Sequence, residues 1–296
     1  MTQTADCLLQ GMEFSQFFAS DPRPIGVFDS GIGGLTVLRA LMAAMPGERF
    51  IYLGDTARVP YGTKSADTVR TYSLGLAHIL MQHDVKMIVI ACNTASVHAA
   101  EAIADFISPV PVISMVPPAA AAALAASKNK HIMIMGTQST VRSGAYADAL
   151  KTLDPSIKVT AVATQLLVAM AEEGWIDGPI ARAAVERYIG SVFENADKPD
   201  TIILGCTHFP LLRDVIADVV GPDVRLIDCG DAACTHIRAQ MSVRTEGQTS
   251  LRFLVTDAVE RFTPLAERFL GIPVSGIPAE HIDLTEILNT DLRKAS

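Results

Sequence analysis

The chain is short of the features that mark most alternative classes. Its five cysteines (Cys7, Cys92, Cys206, Cys229, Cys234) are odd in number and lack Cys-x-x-Cys spacing, so neither a disulfide framework nor a zinc knuckle is signalled and no metal is expected. Reduced thiols imply the cytoplasm. No basic block interrupts a formal net charge of −8, which argues against a nucleic-acid partner. No apolar run approaches the roughly 20 residues that span a bilayer, so no membrane partner is expected. The first twenty residues carry Asp6 and Glu13 and lack both a basic start and a long apolar core, unlike a secretory signal. The turn Asp29-Ser30-Gly31-Ile32-Gly33-Gly34 has Thr36 where the dinucleotide fingerprint has its third glycine, and it lacks the lysine of a phosphate loop. A nucleotide cofactor is therefore not expected, and no other cofactor is called for.

What is present is a well-cored globule, 49% apolar and 19% charged, long enough at 296 residues for two ordinary domains. Two stretches organise it: Met87-Ile-Val-Ile-Ala-Cys92-Asn93-Thr94-Ala and Thr201-Ile-Ile-Leu-Gly-Cys206-Thr207-His208-Phe-Pro. Each is a continuous apolar run of strand length, the pattern of a strand buried on both faces of a parallel sheet. Each ends in a cysteine with hydroxyl or amide neighbours and then turns helical. Open α/β sheets bind ligands at that carboxyl edge. The following helix end is expected to favour thiolate over thiol. A buried cysteine is usually a small hydrophobe, but two in matched polar contexts favour chemistry.

Strand and helix patterns alternate along the chain. Strands are expected near 25–29, 50–54, 87–91, 110–116, 131–136, 157–163, 201–205, 224–228 and 251–255. Helices are expected over 35–45, 64–83, 96–107, 119–126, 139–150, 165–173, 179–196, 210–220, 231–241 and 260–270. Such alternation predicts an α/β fold of two pseudo-symmetric Rossmann- or flavodoxin-like domains with parallel sheets and a site in the cleft between them. The expected division is an extension over 1–23, a first domain over 24–114 and 228–272 carrying Cys92, a second over 115–227 carrying Cys206, and a tail over 273–296. His78 and His83 read as surface or packing residues.

Two thiols suit a reaction that removes a proton from one face of a carbon and returns one to the other. A single base cannot easily serve both faces, whereas a thiolate and a thiol flanking the carbon can, with roles exchanged in the reverse direction. Thiols titrate near pH 8.5 and can be tuned toward the working pH. Asp29 and His208 are placed to assist.

The blocks FDSGIGGLTVL, YLGDTARVPYG, ACNTAS, TVRSGAY and GCTHFPLL resemble the signatures of the bacterial glutamate racemase family, in the cofactor-independent aspartate/glutamate racemase superfamily. The resemblance runs from about Pro24 to about Cys229 and more weakly to about Leu270. It implies that Cys92 acts on the D-isomer and Cys206 on the L-isomer, with Asp29 supporting Cys92 and with His208 and Glu172 supporting Cys206. It implies substrate contacts from Asp29, Ser30, Tyr61, Gly62, Asn93, Thr94, Thr207 and His208, a homodimer, and a supply of D-glutamate for peptidoglycan. The chain departs from the family at Pro117-Pro118-Ala119, where members read Glu-Pro-Gly, and at Ala163-Thr164-Gln165, where they carry Cys-Pro. A solvated helix end is the alternative reading of Glu172. The alternatives for the whole are a racemase of aspartate or another amino acid, a one-thiol decarboxylase or amide hydrolase, and a non-catalytic module that binds a protein such as DNA gyrase.

Overall fold

The computed structural model describes residues 18–285. Among these residues ten strands form two wholly parallel sheets. The first holds β1 (Ile25–Asp29), β2 (Arg49–Gly54), β3 (Met87–Ile90), β4 (Val112–Ser114), β9 (Ser250–Val255) and β10 (Ala279–His281) in the order β10-β9-β2-β1-β3-β4. The second holds β5 (His131–Gly136), β6 (Lys158–Ala163), β7 (Thr201–Gly205) and β8 (Arg225–Asp228) in the order β6-β5-β7-β8. Every residue of β1, β3, β5 and β7 is buried, as continuous apolar runs in covered parallel sheets require.

The strand orders place the two cysteines equivalently. In the first sheet the winding reverses between β1 and β3, paired from Ile25↔Met87 to Phe28↔Ile90. In the second it reverses between β5 and β7, paired from Ile132↔Thr201 to Gly136↔Gly205. Cys92 follows β3 and Cys206 follows β7, so each lies at the carboxyl end of a strand beside a switch point, where α/β sheets open a crevice.

Helices cover both faces of each sheet. One core, to which Val27, Leu38, Ala120, Ile132, Ile203 and Ala233 all belong, runs from the first sheet to the second through α1 (Leu35–Ala44), α4 (Val116–Ala126) and α10 (Cys229–Gln240). A separate apolar cluster lies under α2 (Ala66–Gln82) and α3 (Asn93–Phe106), and another under α7 (Leu166–Glu173), α8 (Gly178–Val185) and α9 (Arg213–Val220). Burial of some 25 cal/mol per Å² of apolar surface makes this central layer the main tie between the two sheets.

Several boundaries differ from expectation, each for a local reason. α3 begins at Asn93 rather than Ser96, because the Cys92 sulfur itself caps it by accepting from Ala95 N at 3.4 Å. α4 begins at Val116, with Pro117 and Pro118 in its first turn, where missing N–H groups cost nothing. The helix expected over 139–150 is two, α5 (Gln138–Ser143) and α6 (Ala145–Leu153), parted by Gly144 at φ 71°. The segment expected as a terminal tail supplies edge strand β10, which pairs with β9. The expected N-terminal extension lies mostly outside the described residues; its end, from Phe18, packs against the first sheet's core.

Candidate active site

Cys92 and Cys206 line one cavity, one thiol delivered by each sheet. From the first-sheet side Ser30, Tyr61, Gly62, Asn93 and Thr94 join Cys92; from the second, Thr207, His208 and Glu172 join Cys206. All but one of the residues anticipated as catalytic or substrate-binding thus come together. Asp29 does not reach the cavity lining. It is fully buried behind it, with Oδ2 accepting from Gly31 N at 2.9 Å and Oδ1 without a hydrogen-bond partner. Burial pushes the Asp29 carboxyl above the usual carboxylate range.

The first thiol is held in a small, dry corner. Cys92 is 5% exposed, and its sulfur lies 3.5 Å from the Ser30 hydroxyl. Burial and then the neighbouring Asp29 push its pKa up to about 12, against smaller downward pulls from Ser30 and the Ala95 amide. This corrects the expectation of a helix-favoured thiolate at Cys92. The helix end does act on the sulfur, but desolvation outweighs a helix-end effect that is typically worth only about 0.3–1 kcal/mol. Burial thus holds Cys92 as a thiol at neutral pH.

The second thiol has a different neighbourhood. His208 Nδ1 lies 3.7 Å from Cys206 Sγ, and His208 Nε2 lies 2.9 Å from Glu172 Oε1. Burial works against charging His208, yet its contacts with Cys206 and Glu172 prevail and carry it up to about 10. The imidazole edge also meets the Phe269 ring, centroids 5.3 Å apart. Glu172 is thus not merely a solvated helix end: it orients the histidine that touches the thiol. Arg268 secures this corner by donating to the Glu172 carbonyl at 2.6 Å.

Hydroxyls stitch the seam between the two sides. Thr94 Oγ1 lies 2.9 Å from Thr137 Oγ1 and 3.2 Å from Thr140 Oγ1, and Thr36 donates to the Thr207 carbonyl at 2.8 Å. Tyr61 donates to Asp55 Oδ2 at 2.7 Å, which anchors the loop that brings Gly62 to the cavity. Asn93 is held through its amide oxygen by the Tyr146 hydroxyl at 2.5 Å, while its buried Nδ2 has no hydrogen-bond partner. Among the described residues no arginine or lysine lines the cavity, so an anion there would be met by hydroxyls, amides and backbone N–H groups. Among the described residues no group of acidic, histidine and cysteine side chains could hold a metal ion.

Sequence reasoning missed Thr137, Gln165 and Val168, which also line the cavity. Thr137 was detectable in principle: it follows β5 at the second switch point as Asp29 closes β1 at the first. Gln165 and Val168 are brought in only by the course of α7 and carry no local signal.

The Asp/Glu/Hydantoin racemase family model matches residues 30–237. The chain belongs to that family. It is 42% identical over 259 residues to a curated glutamate racemase of Syntrophus aciditrophicus, covering 86% of this chain and 95% of the relative. Among solved structures, the glutamate racemase of Francisella tularensis in complex with D-glutamate superposes with a TM-score of 0.81 at 35% identity, covering 90% of this chain and 99% of that one. The Thermus thermophilus glutamate racemase in complex with beta-chloro-D-alanine gives 0.77 at 40% identity, covering 90% and 98%.

Proposed function

We propose that this protein interconverts L- and D-glutamate by proton transfer between two thiols across the α-carbon. The observation that carries the reading is the delivery of Cys92 and Cys206 to one cavity from equivalent positions in two separate sheets. The relatives' reaction and substrate, and the resemblance at both cysteine motifs, support it. The resemblance to bacterial glutamate racemases implies a supply of D-glutamate for peptidoglycan, and the same role is assigned here.

In the L-to-D direction Cys206 takes the α-proton of L-glutamate. His208 stands beside the sulfur to accept the thiol proton beforehand, and Glu172 holds the resulting imidazolium. Cys92, kept as a thiol by burial, returns a proton to the opposite face. The reverse reaction exchanges these roles. Charge that develops on the α-carboxylate is met by fixed donors in a site sheltered from water. The unpartnered Asn93 Nδ2 and the hydroxyls of Ser30, Thr94 and Thr207 are the donors assigned to substrate carboxylates, with the Tyr61-Gly62 loop completing the wall. Asp29 supports Cys92 from behind rather than by direct contact with substrate.

The division into two lobes, 24–114 with 228–272 and 115–227, belongs to the same reading, with the first lobe carried past 272 by β10. So do a cytoplasmic location and a homodimer. The experiment is proton NMR of L-glutamate in heavy water with the purified protein, beside Cys92→Ala and Cys206→Ala. Wild type is expected to lose the α-proton signal and form D-glutamate. Each variant is expected to lose inversion. Exchange of aspartate but not glutamate would move the substrate assignment, and full inversion by either variant would defeat the two-thiol mechanism.

A further inference from the structure

Gly62 borders a second cavity as well as the catalytic one, and the adjacent residues Thr137 and Gln138 border one each. This second space measures about 250 Å³ and is lined by Lys64 and His98 from the first-sheet side and by Ser139, Arg142 and Ser143 from the second. That is room for several waters or a small multi-oxygen molecule. Among the described residues no aspartate or glutamate lines it. Neither the Lys64 ammonium nor the Arg142 guanidinium has a hydrogen bond or ion pair among the described residues. Arg70 adds positive charge nearby, donating to the His98 carbonyl at 3.3 Å. Two unpaired cations facing one concave space form a receptor for negative charge, and a guanidinium matches carboxylate and phosphate geometry equally.

We propose that this cavity is an anion site for a small molecule with two oxyanion groups, carboxylate or phosphate, held by Lys64 on one side and Arg142 on the other. Because the two cations belong to opposite sides of the seam, the ligand bridges them. The catalytic cavity beside it has room of only about 30 Å³, enough for a water or two and too little for a five-carbon amino acid. The two sides must part to admit substrate, and a bridging anion opposes that parting. Ligand occupancy is thereby linked to access to the thiols, as any ligand with unequal affinity for two arrangements shifts them. The coupling rests on the glutamate reading; the binding does not.

The test is calorimetric titration of the full chain with inorganic pyrophosphate and, separately, with malonate, at fixed ionic strength, on wild type, Lys64→Gln and Arg142→Gln. One saturable site is expected, weakened about tenfold in each variant by loss of a charge-assisted hydrogen bond, with the variants' melting temperatures unchanged. Preference for one probe identifies the phosphate or the carboxylate class. The probe should lower glutamate turnover in wild type and do so less in each variant. Absence of saturable binding by both probes, or wild-type affinity in both variants, would each overturn the proposal. Calorimetry reads binding whether or not glutamate is turned over, so the site and the reaction fail separately.

Discussion

Tyr146 and Asn93, from opposite sides of the seam, meet at 2.5 Å, the tyrosine hydroxyl donating to the amide oxygen. Both are buried, and the Cys229 sulfur lies 3.4 Å from the same hydroxyl while donating to the Leu204 carbonyl at 3.3 Å. The bond holds the amide oxygen and leaves the buried Nδ2 as a donor without a partner. Tyr146→Phe frees the amide to turn and removes one hydrogen bond worth about 1 kcal/mol. The expected result is a several-fold rise in KM for glutamate with a smaller change in kcat, together with a modest loss of stability. Steady-state kinetics and a urea melt check it; an unchanged KM would mean that the amide is fixed by something else.

Glu172 acts through His208, since its Oε1 accepts from the far side of the ring at 2.9 Å. Glu172→Gln keeps an acceptor and removes the charge. The carboxylate side chain is 41% exposed, so water already screens part of its effect. His208 should lose part of its upward shift, and the alkaline limb of the pH–rate profile should move to lower pH. A fall of roughly tenfold in kcat/KM is expected from weakened acid/base assistance. The fall must be equal in both directions, because the equilibrium constant between enantiomers is one. A profile superposable on wild type would remove Glu172 from the site's chemistry.

Much of the fold was legible because its signals are local. The buried runs of β3 and β7 and the turns after them announce parallel strands with reactive ends, and the strand order then brings the two cysteines together. Less legible was anything set by packing around a side chain. The start of α3 depends on a sulfur acting as a cap, the break at Gly144 on one left-handed residue, and the thiol character of Cys92 on how much water its neighbours exclude. The partnership of Tyr146 with Asn93 joins residues 53 positions apart and has no signature in either segment.

Alkali should destabilise the protein in two overlapping stages. His208 is raised from its ordinary 6.5 to about 10, so between those values the folded chain keeps a proton that the unfolded chain has released. Stability from this source is complete below about pH 6.5 and is lost as pH rises through 10. Burial first, then nearby acidic or thiol groups, pushes Cys92, Cys229 and Cys234 up to about 12, so above about pH 9 the unfolded state gains by ionising thiols that the folded state keeps protonated. Melting temperatures from pH 6 to 11 should fall throughout the upper range. His208→Asn should flatten the fall between pH 7 and 9.5 and leave the steeper part above it.

Lys86 and Glu48 form an ion pair at 2.7 Å with both side chains 1% exposed. The ammonium also donates to the Phe18 and Asp21 carbonyls and sits 4.1 Å from the Phe18 ring centroid. This pair docks the segment before β1 onto the first sheet. Lys86→Met leaves a buried carboxylate unpaired, and about 3–5 kcal/mol should be lost in urea unfolding. Replacing both, as Lys86→Met with Glu48→Leu, should recover most of the loss. A double variant as unstable as the single one would mean that the contacts to Phe18 and Asp21, not the charge balance, carry the stability.

Gly33 tests the geometry of the Cys206 corner from the opposite side of the seam. A Cβ placed on it would lie 2.3 Å from Thr207 Oγ1 and 2.4 Å from His208 Cε1. Both contacts are far inside van der Waals distance, so the first-sheet turn or the loop after β7 must shift. The turn is tied down: Thr36 donates to both the Gly33 and Thr207 carbonyls, at 3.0 and 2.8 Å. The histidine is the easier part to move, and moving it breaks the 3.7 Å approach to Cys206 and the 2.9 Å bond to Glu172 together. Overpacking of this kind costs about 1–3 kcal/mol, which a chain with so extensive a core survives. Gly33→Ala should therefore fold, with kcat reduced by about a hundredfold or more, as small misplacements of acid/base groups do. Far-ultraviolet circular dichroism and turnover measured on the same preparation decide it: a folded variant with wild-type kcat would show that His208 need not stand where the structure puts it.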